Sequence, residues 1–272
     1  MPKPFVKWVG GKRQLVPELL GLFPEQAGTY FEPFVGGGAV YWAMAEQGRF
    51  QAAVLNDFNE ELVNCYRVVR DFPDELIDQL SKLVIDKEVY MQLRAALPES
   101  FFPVRRAART IYLNKLGFNG LYRVNKSGAF NVPWGSYKNP KIYDEDNLRS
   151  CAETLNRATS LRSGDFAAAV TDAKAGDLVY FDPPYVELSA TSNFKSYTSG
   201  GFSLDDQYRL AACFRELAER GVTAVTSNSS AELVREIYEG WETHEVQARR
   251  SVNSRGDKRG PITELIMINR KV

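Results

Sequence analysis

An acidic residue, two prolines and a tyrosine directly follow a short apolar run. The run Leu178–Phe181 is succeeded by Asp182, Pro183, Pro184 and Tyr185. Such a run is typical of a buried parallel strand, and two prolines prevent both helix and further sheet pairing, so Asp182 is expected at the strand's carboxyl end. Open α/β sheets bind ligands at that edge. A carboxylate acceptor, a rigid turn with free carbonyls and an aromatic ring suit the capture of a flat exocyclic amine such as that of adenine. The alternative is an ordinary loop, because Asp-Pro and Pro-Pro are common in turns.

A glycine run and a later aspartate form a second candidate site. The segment Phe31–Gly38 ends in three glycines where a strand is expected to turn into a helix, which lets a ligand approach the backbone closely. Asp57 follows about twenty residues later at the end of the next expected strand, where an acidic residue can accept hydrogen bonds from ribose hydroxyls. The alternative for Asp57 is an N-cap of the helix beginning near Asn59. The candidate ligand-binding residues in this segment are Glu32, Phe34, Gly36 and Gly38.

Near the start of the sequence, an apolar segment precedes a double glycine and a lysine. Residues Phe5–Val9 predict a short strand, followed by a turn at Gly10 and Gly11 and then by Lys12. A lysine beyond such a turn can bind a carboxylate, for example that of a methionine moiety. The alternative is a solvated strand end.

Residues 105–141 combine basic and aromatic side chains and contain no Asp or Glu. Cations for phosphates and flat rings for bases in one loop favour a nucleic-acid contact surface, and the Gly, Asn and Pro content indicates a protruding hairpin. The alternative is an ordinary solvated face. The cations are Arg105, Arg106, Arg109, Lys115, Arg123, Lys126, Lys138 and Lys141, and the aromatic residues are Tyr112, Phe118, Tyr122, Phe130, Trp134 and Tyr137.

Composition excludes several classes of protein and site. The 34 Lys and Arg balance the 34 Asp and Glu among 272 residues, so no overall basic charge indicates nucleic-acid binding. Three cysteines without Cys-x-x-Cys spacing and a single histidine argue against a disulfide framework or a metal site. Because no run of eighteen apolar residues and no signal peptide occurs, we expect a cytoplasmic protein without a membrane span.

The order of the elements predicts an α/β fold with a doubly wound, mostly parallel sheet. Residues 30–57 predict strand, turn, helix and strand, with the helix at Ala39–Gln47. Residues 58–113 have helical apolar spacing. Further strands are expected near residues 161–163, 178–181, 222–226 and 264–268, with a helix at 208–220. The helical stretch and the hairpin together predict a module inserted at about residues 58–144.

Taken in order, these motifs resemble those of S-adenosylmethionine-dependent DNA adenine-N6 methyltransferases. The order is Gly-Gly-Lys, Glu-Pro-Phe-x-Gly-Gly-Gly, Asn-Asp and Asp-Pro-Pro-Tyr. Residues 112–123 and 128–138 are similar to the target-recognition region of the Dam family, which methylates adenine in GATC. Residues 188–194, leading to Tyr197, are similar to that family's mobile active-site loop. Relatives that methylate GATATC share much of the hairpin, so the resemblance leaves both sites open.

The resemblance implies a seven-stranded methyltransferase sheet, with residues 1–57 and 145–272 forming the catalytic, S-adenosylmethionine-binding domain and residues 58–144 the helical DNA target-recognition domain with its β-hairpin. We expect a monomer that acts on double-stranded DNA by base flipping and direct transfer, without a metal. Ser136 departs from the family's usual arginine, which puts one DNA contact in doubt.

The implied cofactor-binding residues are Trp8, Lys12, Asp57 and Asp182, with Asp165 and Phe166 facing the cofactor's adenine. Those implied to contact bases are Lys7, Leu121, Arg123 and Pro133, with Phe118 and Asn119 near the extruded adenine. Phosphate contacts are assigned to Arg94, Lys115, Asn125, Asn131 and Lys138.

Three other functions compete with this interpretation. A cytosine-N4 methyltransferase shares the chemistry but usually has Ser in place of Asp182. A methyltransferase acting on RNA or on a protein glutamine would have little use for the hairpin. A DNA-binding protein with a vestigial enzyme core would not need to keep Lys12, Asp182 and Tyr185. The sequence leaves open whether the enzyme serves repair, restriction-modification or a phage.

Overall fold

The computed structural model describes residues 2–156, 159–187, 202–249 and 261–271. Its centre is a seven-stranded sheet with the spatial order β3-β2-β1-β4-β5-β7-β6, in which only β7 runs antiparallel to its neighbours. The predicted doubly wound, mostly parallel sheet is therefore confirmed. The strands are β1 Ala27–Glu32, β2 Phe50–Asp57, β3 Thr159–Ser163, β4 Leu178–Phe181, β5 Thr223–Ser229, β6 Trp241–Arg249 and β7 Pro261–Lys271.

Helices cover both faces of this sheet, which explains why its central strand β4 is apolar at every position. In β4, Leu178 and Tyr180 face a core that includes Leu19 of the first helix, whereas Val179 and Phe181 face a second core with Phe214. The helices are α1 Val16–Leu22, α2 Ala39–Glu46, α3 Glu60–Asp71, α4 Pro73–Ser81, α5 Lys87–Ala95, α6 Pro103–Leu116, α7 Glu145–Leu155, α8 Phe166–Ala169, α9 Leu204–Glu219 and α10 Glu232–Ile237.

The helical stretch after β2 is packed into the same core as the sheet. Helix α3 packs against β2 and β3 on one side and against α6 on the other. Buried residues of α6, such as Tyr112 and Leu113, therefore belong to one continuous cluster with Tyr180 of β4. Helix α5 lies within residues 58–113, the stretch predicted to be helical. The inserted module thus shares its core with the sheet.

The prediction of a strand at Phe5–Val9 is wrong. These residues form a bend, and a short 3₁₀ helix follows at Lys12–Gln14. Strand pairing is replaced by a side chain: the Asn114 amide accepts from the Lys7 N–H and donates to the Lys7 carbonyl, both at 2.8 Å. One amide thus satisfies the backbone groups that a neighbouring strand would otherwise pair.

The far edge of the sheet extends beyond the prediction. The strand expected near residues 264–268 is confirmed as part of β7, which pairs with β5 on one side and β6 on the other. Strand β6 was not predicted, because it is an edge strand of mostly polar, partly exposed residues. In the described part of the chain, no helix is long and apolar enough to cross a membrane.

Replacing Asn269 with Leu tests how β7 is held beside β5. The Asn269 amide accepts from the Ala224 N–H at 2.8 Å and donates to the Val222 carbonyl at 2.9 Å. Because the variant leaves two buried backbone groups unpaired, we expect chemical denaturation to show a loss of about 1–3 kcal/mol in the free energy of unfolding. An unchanged unfolding midpoint would contradict this role of the amide.

Candidate active site

At the carboxyl end of β4, the largely buried Asp182 carboxylate has partners among the described residues on one of its two oxygens. Asp182 Oδ1 lies 2.9 Å from Lys12 Nζ and accepts a hydrogen bond of 3.2 Å from Ser227 Oγ. Its side chain is 18% exposed, and burial raises its pKa while Lys12 and Ser227 lower it. Among the described residues none donates to Oδ2. The carboxyl thus retains one oxygen for a further donor.

Tyr185 forms a fixed aromatic surface beside this carboxyl. Lys12 Nζ lies 4.3 Å from the centre of its ring, and its hydroxyl donates to Glu264 Oε2 at 2.7 Å. Burial raises the pKa of the Tyr185 hydroxyl, so this group stays a neutral donor. In the turn before it, the Pro184 carbonyl accepts from Gln207, whereas no described residue donates to the carbonyl of the buried Pro183.

The glycine turn after β1 closes against Asp57 at the end of β2. The Gly36 N–H donates to Asp57 Oδ2 at 3.0 Å, and the Asn59 N–H donates to Oδ1 at 2.9 Å. Burial raises the pKa of Asp57 to about 6. The N-cap of α3 is Asn59, whose side chain accepts from the Leu62 N–H, so the alternative that Asp57 caps this helix is wrong.

Two glycines of this turn have backbone conformations that other residues rarely adopt. Gly36 has φ +49°, and a Cβ there would lie 2.7 Å from Trp8. Gly38 has φ +71°, and its Cβ would lie 2.7 Å from the Tyr66 hydroxyl. Beneath them the buried Glu32 accepts from the Tyr30 hydroxyl at 2.9 Å, and burial raises the pKa of Glu32. Glu32 therefore belongs to the floor of the site rather than to its open surface.

A set of aromatic rings packs beside the end of β4, where Phe34 meets Phe181 edge to face. Phe34 stacks on Phe166, with ring centres 5.5 Å apart and an angle of 27° between the ring planes. Asp165 caps α8 by accepting from the Ala167 N–H, and its other oxygen pairs with Arg209 at 2.8 Å. Phe58, which the sequence patterns did not indicate, directly follows Asp57 and is 82% exposed. A large apolar ring so exposed beside a polar site is a candidate ligand contact.

The wall of the glycine turn is continuous with the basic loop. Trp8 contacts Gly36 and stacks on Tyr122, with ring centres 5.5 Å apart. The fully buried Asn114 binds Lys7 through both of its backbone groups and also donates to the Gly120 carbonyl at 2.9 Å. One buried amide therefore joins the segment leading to Lys12 with the loop that begins the basic stretch.

Residues 117–134 form the predicted hairpin, although isolated bridges rather than regular strands join its two arms. It has antiparallel bridges between Gly117 and Trp134 and between Val124 and Phe130. At its tip, Asn125 Oδ1 accepts from the N–H groups of residues 127 and 129. From α5, the Tyr90 hydroxyl donates to the carbonyl of residue 132 at 3.0 Å and supports the hairpin from within the protein.

Several residues predicted to contact DNA are exposed on this hairpin and beside it. Arg123 extends into solvent and donates to Asn131 Oδ1 at 2.6 Å, so Asn131 holds the guanidinium. Phe118 is 49% exposed, and Asn119 adopts a left-handed conformation with φ 55°. The other exposed residues of this set are Lys7, Asn125, Pro133 and Lys138, whereas Leu121 is half-buried.

Other members of the basic stretch have internal partners. Arg109 is 3% exposed and donates to carbonyls of residues 93 and 96, and Arg106 pairs with Glu61. Lys115 is half-buried beside a cavity of about 430 Å³ near Lys3 and the start of α7, and burial together with Lys7 lowers its pKa to about 8. Arg94 is half-buried on α5.

Two further expectations concern a mobile loop and a metal site. Residues 188–197, which are similar to a mobile active-site loop, lie outside the described residues. The segment before them, Asp182–Glu187, is described. Within the described ranges, no group of three or more His, Cys, Asp or Glu is arranged to hold a metal ion.

Comparison with known proteins places the chain in a family. Residues 8–252 match the model of the D12 class N6 adenine-specific DNA methyltransferases. The chain is 47% identical to a type II methyltransferase of Lactococcus lactis subsp. cremoris over 98% of this chain and 95% of that protein. It is 42% identical to a type II methyltransferase of Methanocaldococcus jannaschii over 98% and 99%. It is 36% identical to the DNA adenine methylase of Escherichia coli over 97% and 94%.

Asn114→Ala tests whether this amide holds the two segments together. The variant removes three hydrogen bonds to backbone groups, so we expect the amides of residue 7 and residues 118–121 to exchange with deuterium about ten-fold faster or more. Asn64→Ala is the matched control, because it removes a buried amide that donates to the Pro103 carbonyl instead. Equal exchange at residues 118–121 in both variants would refute the joining role.

Proposed function

This chain belongs to the family of D12 class N6 adenine-specific DNA methyltransferases, and we propose that it methylates adenine within GATC, using S-adenosylmethionine and an extruded base. The observation that carries the proposal is the arrangement at the end of β4. Within four consecutive residues, Asp182 to Tyr185, lie a fixed aromatic ring, a carboxylate with one oxygen that no described residue engages, and a turn carbonyl without a donor among those residues.

The glycine turn and its surroundings fit S-adenosylmethionine. The turn has no room for a Cβ at Gly36 or Gly38, and Asp57 offers a carboxylate to ribose hydroxyls. Asp165 and Phe166, with Phe34, would face the adenine ring, and the exposed Phe58 would add an apolar surface. Trp8 and Lys12 would hold the methionine end, where the ammonium suits a carboxylate. Bound there, S-adenosylmethionine supplies a methyl group on a sulfonium.

Asp182 and Pro183 would orient the target amine. Asp182 Oδ2 accepts one N6 hydrogen of adenine and the Pro183 carbonyl accepts the other. This directs the nitrogen lone pair towards the methyl donor and holds the reacting groups in one geometry. Tyr185 stacks on the base.

The base must leave the duplex to reach this edge. Its amino group cannot approach the cofactor from inside the helix. Extrusion breaks stacking and base pairing, which costs about a few kcal/mol. Phe118 and Asn119 are exposed at the start of the hairpin and would occupy the space near the extruded base. Transfer is direct to nitrogen, because burial raises the pKa of all three cysteines, to about 12 at Cys151 and about 11 at Cys213, so none is a ready nucleophile.

Residues 58–144 would recognise the target, while residues 1–57 and 145–272 would form the catalytic domain. Arg123, held by Asn131, is chemically suited to contact guanine O6 and N7, and Leu121 and Pro133 can pack on a thymine methyl group. Each such contact contributes about 1–3 kcal/mol of discrimination. Lys7 would contact a further base, and Arg94, Lys115, Asn125, Asn131 and Lys138 would bind phosphates. The longer site GATATC is the alternative target.

Asp182→Ala tests the proposed acceptor. Because the variant removes the oxygen that orients the amine, we expect methyl transfer to fall by about 10³-fold or more while DNA affinity stays within about three-fold. Protection of plasmid DNA from methylation-sensitive cleavage at GATC measures the activity in cells. Asp172→Ala, which breaks a surface pair with Arg162, is the control. Near-normal turnover of Asp182→Ala would remove Asp182 from the mechanism.

Arg123→Ala tests recognition of the guanine. We expect the preference for the guanine over other bases at its position to fall by about 10- to 100-fold, because one bidentate base contact is lost. Replacing Lys138, an exposed cation shortly after the hairpin, with Ala should instead weaken binding to all sequences alike. Competition binding with oligonucleotides substituted at each base pair measures both effects. Unchanged discrimination at the guanine pair in Arg123→Ala would refute the assignment.

A further inference from the structure

Two buried amide side chains lie behind the turn that carries Asp182 and Tyr185. Gln207 is in the first turns of α9 and is 2% exposed, and Asn228 is near the end of β5 and is 0% exposed. Buried amides are stable only when their donors and acceptors are paired. Their partners therefore indicate what they hold in place.

The two amides form a chain of hydrogen bonds around Tyr185. Gln207 Nε2 donates to the Pro184 carbonyl at 2.9 Å, and Asn228 Nδ2 donates to Gln207 Oε1 at 3.1 Å. Asn228 Oδ1 in turn accepts from the Val186 N–H at 3.1 Å. The carbonyl before Tyr185 and the N–H after it are thus both fixed from behind.

This pairing selects which carbonyl of the turn stays available. The Pro184 carbonyl is engaged by Gln207, whereas the Pro183 carbonyl has no donor among the described residues. At the other end of the residue, Glu264 fixes the Tyr185 hydroxyl at 2.7 Å. Backbone and ring of Tyr185 are therefore held at separate points, which leaves the turn little freedom to rotate.

Only an amide can fill the place of Gln207. It must donate to a carbonyl and accept from a second amide at the same time, which a carboxylate or an apolar side chain of similar size cannot do. A neutral group also adds no charge close to Asp182 and Glu264. Neither Gln207 nor Asn228 reaches the open edge, because both are fully covered.

We infer that Gln207 and Asn228 are positioning residues that aim the two acceptors of the adenine amine, Asp182 Oδ2 and the Pro183 carbonyl. The inference rests on the role proposed above for the Asp182–Tyr185 turn. The pair acts through the backbone on either side of Tyr185. Its loss should therefore lower the rate of methyl transfer without weakening the binding of DNA or cofactor.

The test compares Gln207→Met with Asn269→Leu in the full-length enzyme. Asn269 is the control, because it too is a buried amide that both donates and accepts, but its partners are the Ala224 N–H and the Val222 carbonyl at the opposite end of β5. We expect Gln207→Met to lower kcat and the single-turnover rate by about 10- to 100-fold, since misplacing a reacting group by about 1 Å has an effect of that order. KM for DNA and for S-adenosylmethionine should change by about two-fold or less.

A fluorescent base supplies a readout that general destabilisation does not move. With 2-aminopurine in place of the target adenine, Gln207→Met should alter the emission of the extruded base, because Tyr185 no longer stacks at a fixed position. Asn269→Leu should lower stability but leave kcat and emission unchanged. Should Gln207→Met fail to fold, Gln207→Glu takes its place: it keeps the acceptor for Asn228, loses the donor to Pro184 and should show the same loss of kcat.

Two results would overturn the inference: a normal kcat in the Gln207 variant, or an equal loss of kcat in Asn269→Leu. The Asp182→Ala variant separates this failure from that of the proposed function. If Asp182→Ala is inactive while the Gln207 variant is normal, only the positioning pair is refuted. If Asp182→Ala keeps its turnover, the role of the whole turn is refuted.

Discussion

The burial of one carboxyl group at the end of β4 is the constraint on which the rest of this site depends. Burial disfavours the charged form of Asp182 and raises its pKa, and the Lys12 ammonium and Ser227 hydroxyl offset that effect at a single oxygen. The remaining oxygen stays an acceptor without a described donor. In a fully solvated carboxylate, water would donate to both oxygens alike. A fully paired carboxylate would have no oxygen left to accept from the amine. The site therefore needs Asp182 to be buried and only half engaged.

One short segment joins the proposed cofactor site to the proposed DNA-binding surface. The chain from Lys7 to Lys12 passes through both: its first residue is held by Asn114, Trp8 forms the wall of the glycine turn, and Lys12 reaches Asp182. Trp8 also stacks on Tyr122, next to the residue proposed to contact guanine. A displacement of this short segment would therefore disturb both surfaces together. The continuous core between the sheet and α6 makes such a displacement costly.

Sequence patterns predicted the parts of this protein that depend on local order. The strand before Asp182, the strand–turn–helix unit around Gly36 and the helical insertion follow from apolar spacing and from Gly and Pro positions, and the fold class is confirmed. The partners supplied from afar were not predictable. Nothing near Gln207 in the sequence indicates that it bonds to Pro184, because the contact forms only when α9 packs against β5 and β7. The strand expected at residues 5–9 was wrong for the same reason, since the side chain that replaces its pairing comes from Asn114.

Charge shows why composition alone could not have indicated the substrate. The chain is neutral overall, and two cations of the basic stretch, Arg106 and Arg109, bind Glu61 and backbone carbonyls inside the fold. The exposed cations in and beside the hairpin, such as Lys7, Arg123 and Lys138, would remain for the proposed contacts with DNA. Because counterion release scales with the number of phosphates neutralised, a neutral protein with few such contacts binds unrelated DNA weakly. Discrimination between sequences must then come from contacts with base edges and from extrusion of the base. An enzyme that combines a small basic surface with a rigid acceptor site can leave non-target DNA readily and react only where the amine fits.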